Sequence, residues 1–185
     1  MKTILVCMMA TVAGLIGNMA GAQPVFLGTT DTVSFFSSTP VADIDARSVQ
    51  AVGAINQSTK DIFFKVPMKS FVFKKALMQE HFNENYVESD KFPNATFKGK
   101  ITDDVDLTKD GTYSVTVSGD FTVHGVSKPK TVPGTVTVKG NNMYVKASFD
   151  VKLADHDIAI PTIVSQEIAE VVNVKVSGML TASPK

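Results

Sequence analysis

The chain has 185 residues, of which 44% are hydrophobic, and its 18 Lys and Arg are balanced by 18 Asp and Glu. This length fits one domain or two small ones, and the composition allows a buried core and excludes a disordered chain. A net charge of zero argues against a general nucleic-acid-binding protein, which needs a basic surface to displace counterions from phosphates.

The first 22 residues have the pattern of a secretory signal peptide. Lys2 supplies a positive charge, residues 4–16 form an apolar run, and residues 20–22 read Ala-Gly-Ala, the small-residue pattern that signal peptidase cleaves. The apolar run is shorter than the roughly 20 residues that a membrane-spanning helix needs. We therefore expect residues 1–22 to be removed without stable membrane insertion, and residues 23–185 to form a periplasmic or secreted domain.

Removal of the signal peptide changes the chemistry available to the domain. The loss of 22 of the 185 residues leaves 163 and takes away Cys7, the single cysteine, whereas all twelve Phe are retained. Without cysteine, thiol catalysis, redox CxxC chemistry and Cys-based zinc sites are excluded. The exported domain has no disulfide and must be stabilised by its apolar core.

Alternation with a period of two dominates the remaining chain. In one segment Tyr113, Val115 and Val117 alternate with Ser, Thr and Ser. Such a strand buries one face and exposes the other, as in antiparallel sheets. Turn residues such as Asp110-Gly111 separate the alternating segments. Eight strands are predicted, near residues 25–36, 41–56, 59–73, 94–106, 111–124, 131–139, 142–155 and 170–182.

Long consecutive strands joined by short turns are typical of an up-and-down barrel. The sequence therefore predicts an all-β fold, an eight-stranded antiparallel β-barrel. A barrel of this size has room inside either for side chains or for one small ligand.

One segment breaks the alternation. Residues 74–89 carry large apolar side chains, such as Leu77 and Phe82, at i, i+3 and i+4 spacing, and their glutamates fall on another face. This pattern predicts one amphipathic helix, which ends before Pro93. A short helical turn is also predicted near residues 162–169, after a proline.

The sequence indicates no catalytic, metal or cofactor site. His81, His124 and His156 have no metal-binding spacing, and neither a GxSxG element nor a Gly-rich phosphate loop is present. Residues 106–117 resemble a calcium loop but lack the bidentate Glu at its last position. We therefore expect no enzyme, with a hydrolase on a barrel scaffold kept as an alternative.

Three segments carry motifs of a known family. They are Leu77–Gly99, with Glu80-His81-Phe82 on the helix and the run from Phe92-Pro93 to Phe97, then Asp110–Tyr113, and Gly119–Val126, which reads GDFTVHGV. Together they resemble the YceI-like family, and the resemblance extends from about Gln23 to the C-terminus. It implies a lipocalin-like eight-stranded barrel, usually bacterial and often exported, that binds a polyisoprenoid or a similar long-chain amphiphile. The chain has no Trp and so lacks the G-x-W signature of true lipocalins.

This resemblance and the alternation predict a tube that holds a long-chain isoprenoid or fatty lipid. The inward-facing residues expected to line it are Phe64, Val66, Phe71, Phe97, Val115, Val117, Phe121 and Phe149. The helix is expected to close it through Leu77, Met78, Phe82 and Tyr86. The residues expected to hold a polar head group are His81, Asn83, Asn85 or His124.

Two questions stay open at this point. The same apolar residues fit a filled barrel without a ligand, which would make the protein a structural or stress-related component of the cell envelope. A long strand edge or barrel face also leaves a homodimer open, although no residue pattern identifies its interface.

Overall fold

The computed structural model describes residues 25–183, so the predicted signal peptide lies outside the described residues. Within that range the chain forms nine strands and one short α-helix. The strands are β1 (Val25–Ser38), β2 (Asp43–Asn56), β3 (Asp61–Pro67), β4 (Val72–Phe73), β5 (Asn94–Ile101), β6 (Gly111–Val123), β7 (Val126–Lys139), β8 (Asn142–Lys152) and β9 (Val171–Ala182). The helix α1 (Ala76–His81) continues into a π-helical turn, Phe82–Tyr86, and the 3₁₀ turns are Met68–Ser70, Leu153–His156 and Thr162–Val164.

Eight of these strands form a closed antiparallel barrel. Their order is β1-β9-β8-β7-β6-β5-β3-β2, and the pairing of β1 with β2 closes the ring. The two-residue β4 pairs with β2 at Ala46 and Arg47, outside the ring. The predicted eight-stranded antiparallel barrel is confirmed, and the helix is confirmed at a shorter length than residues 74–89.

The strand predicted near residues 59–73 is interrupted. β3 ends at Pro67, and a 3₁₀ turn follows in which Phe71 N–H donates to the Met68 carbonyl at 3.3 Å. The Ser70 hydroxyl donates to the Pro67 carbonyl at 2.5 Å and so supports this turn. The chain leaves the barrel wall here, because proline has no N–H to continue the strand ladder.

The loop between the strands predicted at residues 111–124 and 131–139 is only two residues long, and residues 127–130 belong to the second strand. His124 and Gly125 have φ values of 51° and 74°, the left-handed geometry of a two-residue hairpin loop, and β7 begins directly after them. β7 then contains Pro129 and Pro133. Prolines are tolerated in this part of the strand because β8 pairs with β7 only beyond Pro133, so one edge of β7 is free of a ladder there.

The two ends of the barrel are closed differently. At the end that we call the plugged end, Phe26, Ile55, Met143 and Leu180 form a core in which none is more than 2% exposed. Leu107, from the loop between β5 and β6, is buried in this core, and Gln57 donates to its carbonyl at 2.6 Å. Side chains therefore fill this end completely.

The opposite end is covered by a segment that we call the lid, residues 68–92 between β3 and β5. Its aromatic side chains pack against Phe35 of β1, with ring centroids 5.4 Å apart for Phe35 and Phe82 and for Phe35 and Phe71. Phe73 and Phe82 lie 5.0 Å apart within the lid. Aromatic packing therefore holds the lid on the barrel, together with the short ladder between β4 and β2.

Candidate ligand-binding site

An apolar cavity, which we call the barrel cavity, lies inside the barrel and is lined by strand residues only. Its volume is about 110 Å³, and its wall is almost entirely apolar. A water molecule there would need two or more polar partners, which this wall does not offer. The space therefore suits an apolar ligand. Seven of the predicted residues line it: Phe64, Val66, Phe97, Val115, Val117, Phe121 and Phe149.

A second apolar cavity, the lid cavity, lies between the barrel and the lid. Its volume is about 220 Å³. Its wall is formed by strand residues, by the lid and by the segment 153–168. The predicted residues that line it include Phe71, which the sequence had placed in the tube. The full set of predicted residues in this wall is Val66, Phe71, Met78, His81, Phe82, Tyr86 and Phe121.

The two cavities adjoin. Val33, Val66, Ala95, Phe121 and Val174 line both of them. The Phe121 ring stands edge-on to Phe149, with centroids 5.6 Å apart. Two adjoining apolar cavities therefore extend from the middle of the barrel to the lid.

Leu77 is a correction to the predicted set. Its side chain is 61% exposed, and it lines neither cavity. Successive helical residues are rotated by about 100°, so a narrow inward stripe through Met78, Phe82 and Tyr86 leaves Leu77 on the solvent side. The helix presents a narrower apolar face than the sequence pattern indicates.

Four polar side chains lie in the wall of the lid cavity: Ser37, His81, Tyr86 and Glu167. Burial raises the pKa of the Tyr86 hydroxyl, and the Glu167 charge raises it further. The Ser37 hydroxyl accepts a hydrogen bond from the Ala169 N–H at 2.9 Å. Neither Ser37 nor Glu167 is among the residues predicted from the sequence to line the site. Ser37 continues the alternation of β1, so its inward direction was available from the sequence.

His124 lies outside both cavities and connects the lid to the barrel. Its Nδ1 lies 3.0 Å from the His156 carbonyl and its Nε2 lies 3.1 Å from Glu88 Oε2. Both partners are acceptors, so the ring donates to both only as an imidazolium. Hydrogen bonds from Lys91 and from His124 lower the pKa of Glu88, which follows the π-helical turn. These contacts fix the end of the lid to the β6–β7 turn.

The three histidines are not brought together. His156 is buried, with Nδ1 3.0 Å from the Val126 carbonyl, and His81 lies at the lid cavity. Among residues 25–183, no three His, Cys, Asp or Glu side chains are close enough to hold a metal ion. In the same range, no helix has the length and apolar character needed to cross a membrane.

The fold and the site define a class of protein, the lipocalin-like antiparallel barrels with an apolar interior. Residues 18–180 match the model of the YceI-like domain, and the chain belongs to the YceI-like family. A comparison with curated protein sequences gave no significant match.

Several solved structures share this fold at low sequence identity. One is a polyisoprenoid-binding domain from Saccharophagus degradans implicated in plant cell wall breakdown, with a TM-score of 0.73 at 18% identity, covering 86% of this chain and 98% of that one. BcnA from Burkholderia cenocepacia gives 0.69 at 16% identity, over 82% and 96%. A YceI protein from Campylobacter jejuni gives 0.58 at 15% identity, over 74% and 81%.

Proposed function

We propose that the protein is an exported binding protein that holds a polyisoprenoid or another long-chain amphiphilic lipid inside its barrel. The observation that carries this proposal is the pair of adjoining apolar cavities, which share five wall residues. The polyisoprenoid binding described for the Saccharophagus degradans domain supports the same class of ligand. The signal-peptide pattern of residues 1–22 supports export.

Energetics favour a long chain over a short one. Each methylene group removed from water contributes about 0.8 kcal/mol, so ten of them contribute about 8 kcal/mol. Association itself costs roughly 4–15 kcal/mol in lost translational and rotational freedom. A short chain therefore barely offsets the cost of binding, whereas a chain that extends through both cavities binds tightly.

Binding of this kind requires neither a catalytic step nor a cofactor. It also requires only one copy of the chain, because residues of a single chain line both cavities. The polar side chains in the wall of the lid cavity, His81 and Tyr86 among them, lie where the bound lipid would reach the lid. The filled-barrel alternative fits the plugged end, but it leaves these cavities without a role.

Uptake of a fluorescent isoprenoid analogue by the purified protein tests the proposal. Val117 lines the barrel cavity and is 8% exposed, so V117W should fill the cavity and reduce uptake at least about tenfold. V49W is the matched control, since Val49 is 51% exposed on β2, and it should bind as the wild type does. Circular dichroism checks that both variants fold.

Two outcomes would contradict the proposal. The first is a wild-type protein that takes up no analogue, which would favour the envelope protein with a filled barrel. The second is a folded V117W variant that binds as well as V49W, which would show that the barrel cavity is not the site. Export is tested separately by N-terminal sequencing of the protein isolated from the periplasm. A mature chain that begins at Gln23 is the expected result.

A further inference from the structure

A buried carboxyl group lies on the inner side of the barrel wall. Asp31 of β1 is 1% exposed, and its Oδ2 has no hydrogen-bond partner among the described residues. The pairing of β1 with β2 shifts register on both sides of Asp31, so an irregularity in the strand turns this polar residue inward. Burial raises the pKa of Asp31 to about 6, against the opposing effect of a hydrogen bond from the Met179 backbone.

Three glycines on adjacent strands make room for this carboxyl group. A Cβ atom on Gly28 of β1 or on Gly178 of β9 would collide with the Asp31 carboxylate, and a Cβ on Gly53 of β2 would lie 2.7 Å from its Oδ2. No larger residue fits at these positions while the carboxyl group is in place. We call this space the Asp31 niche.

The Asp31 niche borders the barrel cavity. Val33, Ile55 and Val176 line that cavity, and each lies two residues along its strand from a member of the niche. Residues two apart on a strand face the same side of the sheet. The niche is therefore the continuation of the cavity wall on β1, β2 and β9.

The Phe64 ring lies beside the niche, next to Gly53. Phe64 lines the barrel cavity, and its Cε1 atom and the Asp31 Oδ2 atom both approach the same face of Gly53. Phe64 is only half-buried. Access from the barrel cavity to the unpartnered carboxyl oxygen requires this ring to change rotamer.

We propose that the Asp31 niche binds the hydroxyl group of a long-chain alcohol, which enters the barrel hydroxyl end first and leaves its chain in the barrel and lid cavities. This inference rests on the proposed lipid-binding function and specifies the ligand class. The hydroxyl group reaches Asp31 Oδ2 when the Phe64 ring moves aside. It supplies the hydrogen-bond partner that Oδ2 lacks among the described residues.

A hydroxyl group matches this site in either protonation state of Asp31. It donates to the carboxylate, and it accepts from the protonated carboxyl group. A carboxylate or phosphate head group brings only negative charge and acceptors to a site that already holds an acid, and no Lys, Arg or His is a member of the niche. The site therefore selects an uncharged alcohol over an anionic lipid.

Three ligands of equal chain length test this proposal on the delipidated full-length protein. Hexadecanol, hexadecane and hexadecanoate compete with a bound fluorescent hydrocarbon probe. The wild type should bind hexadecanol at least about tenfold more tightly than hexadecane, and hexadecanoate more weakly than hexadecanol. D31L should lose this preference and bind hexadecanol and hexadecane about equally. D120L is the matched control, since Asp120 is exposed on β6, and it should keep the preference for hexadecanol.

A second measurement uses the wild type alone and does not depend on the folding of a variant. The carbon-13 NMR signal of the Asp31 carboxyl group should shift when hexadecanol is added and should stay in place when hexadecane is added. An unshifted signal with bound hexadecanol, or a preference for hexadecanol that survives in folded D31L, would overturn the assignment of Asp31. If the wild type bound neither hexadecanol nor hexadecane, the lipid-binding function itself would fail.

Discussion

The plugged end and the lid end of the barrel are built from the same strands and differ in what fills them. β1 runs from Phe26, which is 2% exposed in the solid core of the plugged end, to the half-buried Phe35, which packs against the lid. With 14 residues, β1 extends about 46 Å at 3.3 Å per residue. A strand of this length contributes to two clusters of buried apolar side chains, one at each end, and the lid end also contains the lid cavity.

The largest expected effect comes from a change at the plugged end. Leu180 is fully buried there, so L180A should lower the free energy of unfolding by about 2–5 kcal/mol through lost burial and a new cavity. Urea denaturation measures this loss, and folded L180A should still bind lipid. If L180A lowered the free energy of unfolding by less than about 1 kcal/mol, the packing at the plugged end would contribute little to stability.

The pH dependence of stability should come from Asp31, between the two ends. Its pKa is raised from 3.8 to about 6 in the folded protein, so the folded state holds the proton more tightly and stability falls as the pH rises through about 6. The shift of about two units corresponds to about 3 kcal/mol. D31N should therefore be more stable than the wild type by up to this amount above pH 7 and equally stable below pH 4. Equal free energies of unfolding for D31N and the wild type at pH 8 would contradict the burial of the Asp31 charge.

A smaller effect on stability and a larger one on ligand exchange are expected at the lid. Phe82 contacts the rings of Phe35, Phe71 and Phe73, so F82A should cost about 1–2 kcal/mol in stability. Release of a fluorescent isoprenoid analogue, followed by stopped-flow fluorescence, should be about tenfold faster, since a tenfold rate change corresponds to about 1.4 kcal/mol. An unchanged release rate would mean that the lid does not control exit.

The smallest effect is expected where Glu88 fixes the end of the lid. E88Q keeps the side-chain size but weakens the charge-assisted contacts to His124 and Lys91. Release of the same analogue should be about two- to threefold faster, because ion pairs near the surface contribute little. E84Q, with its exposed position on the same lid segment, is the control and should leave the rate unchanged. Equal rates of analogue release from E88Q and E84Q would show that Glu88 does not hold the lid in place.

Strand alternation was sufficient to predict the barrel wall. Val115 and Val117 were placed inward by period-two patterning, and the structure puts both in the wall of the barrel cavity. This worked because a regular strand has only two faces, so one correct assignment fixes its neighbours.

The lid was harder to predict because its local geometry is irregular. Leu77 and Met78 are adjacent in sequence, and a helical pattern alone did not show which of them faces the barrel. The Asp31 niche escaped the sequence analysis for a related reason. The register shifts around Asp31 break the alternation of β1, and the surrounding Thr-Thr-Asp-Thr sequence is typical of an exposed segment.

Native mass spectrometry of the protein purified from the periplasm without organic solvent tests the central claim most directly. We expect a species that is heavier than the bare chain by the mass of one long-chain lipid. This additional mass should disappear after organic extraction. V49W should carry the same lipid, whereas V117W should be recovered without it. A wild-type protein that carries no lipid and takes up none when long-chain isoprenoids are supplied would contradict the account.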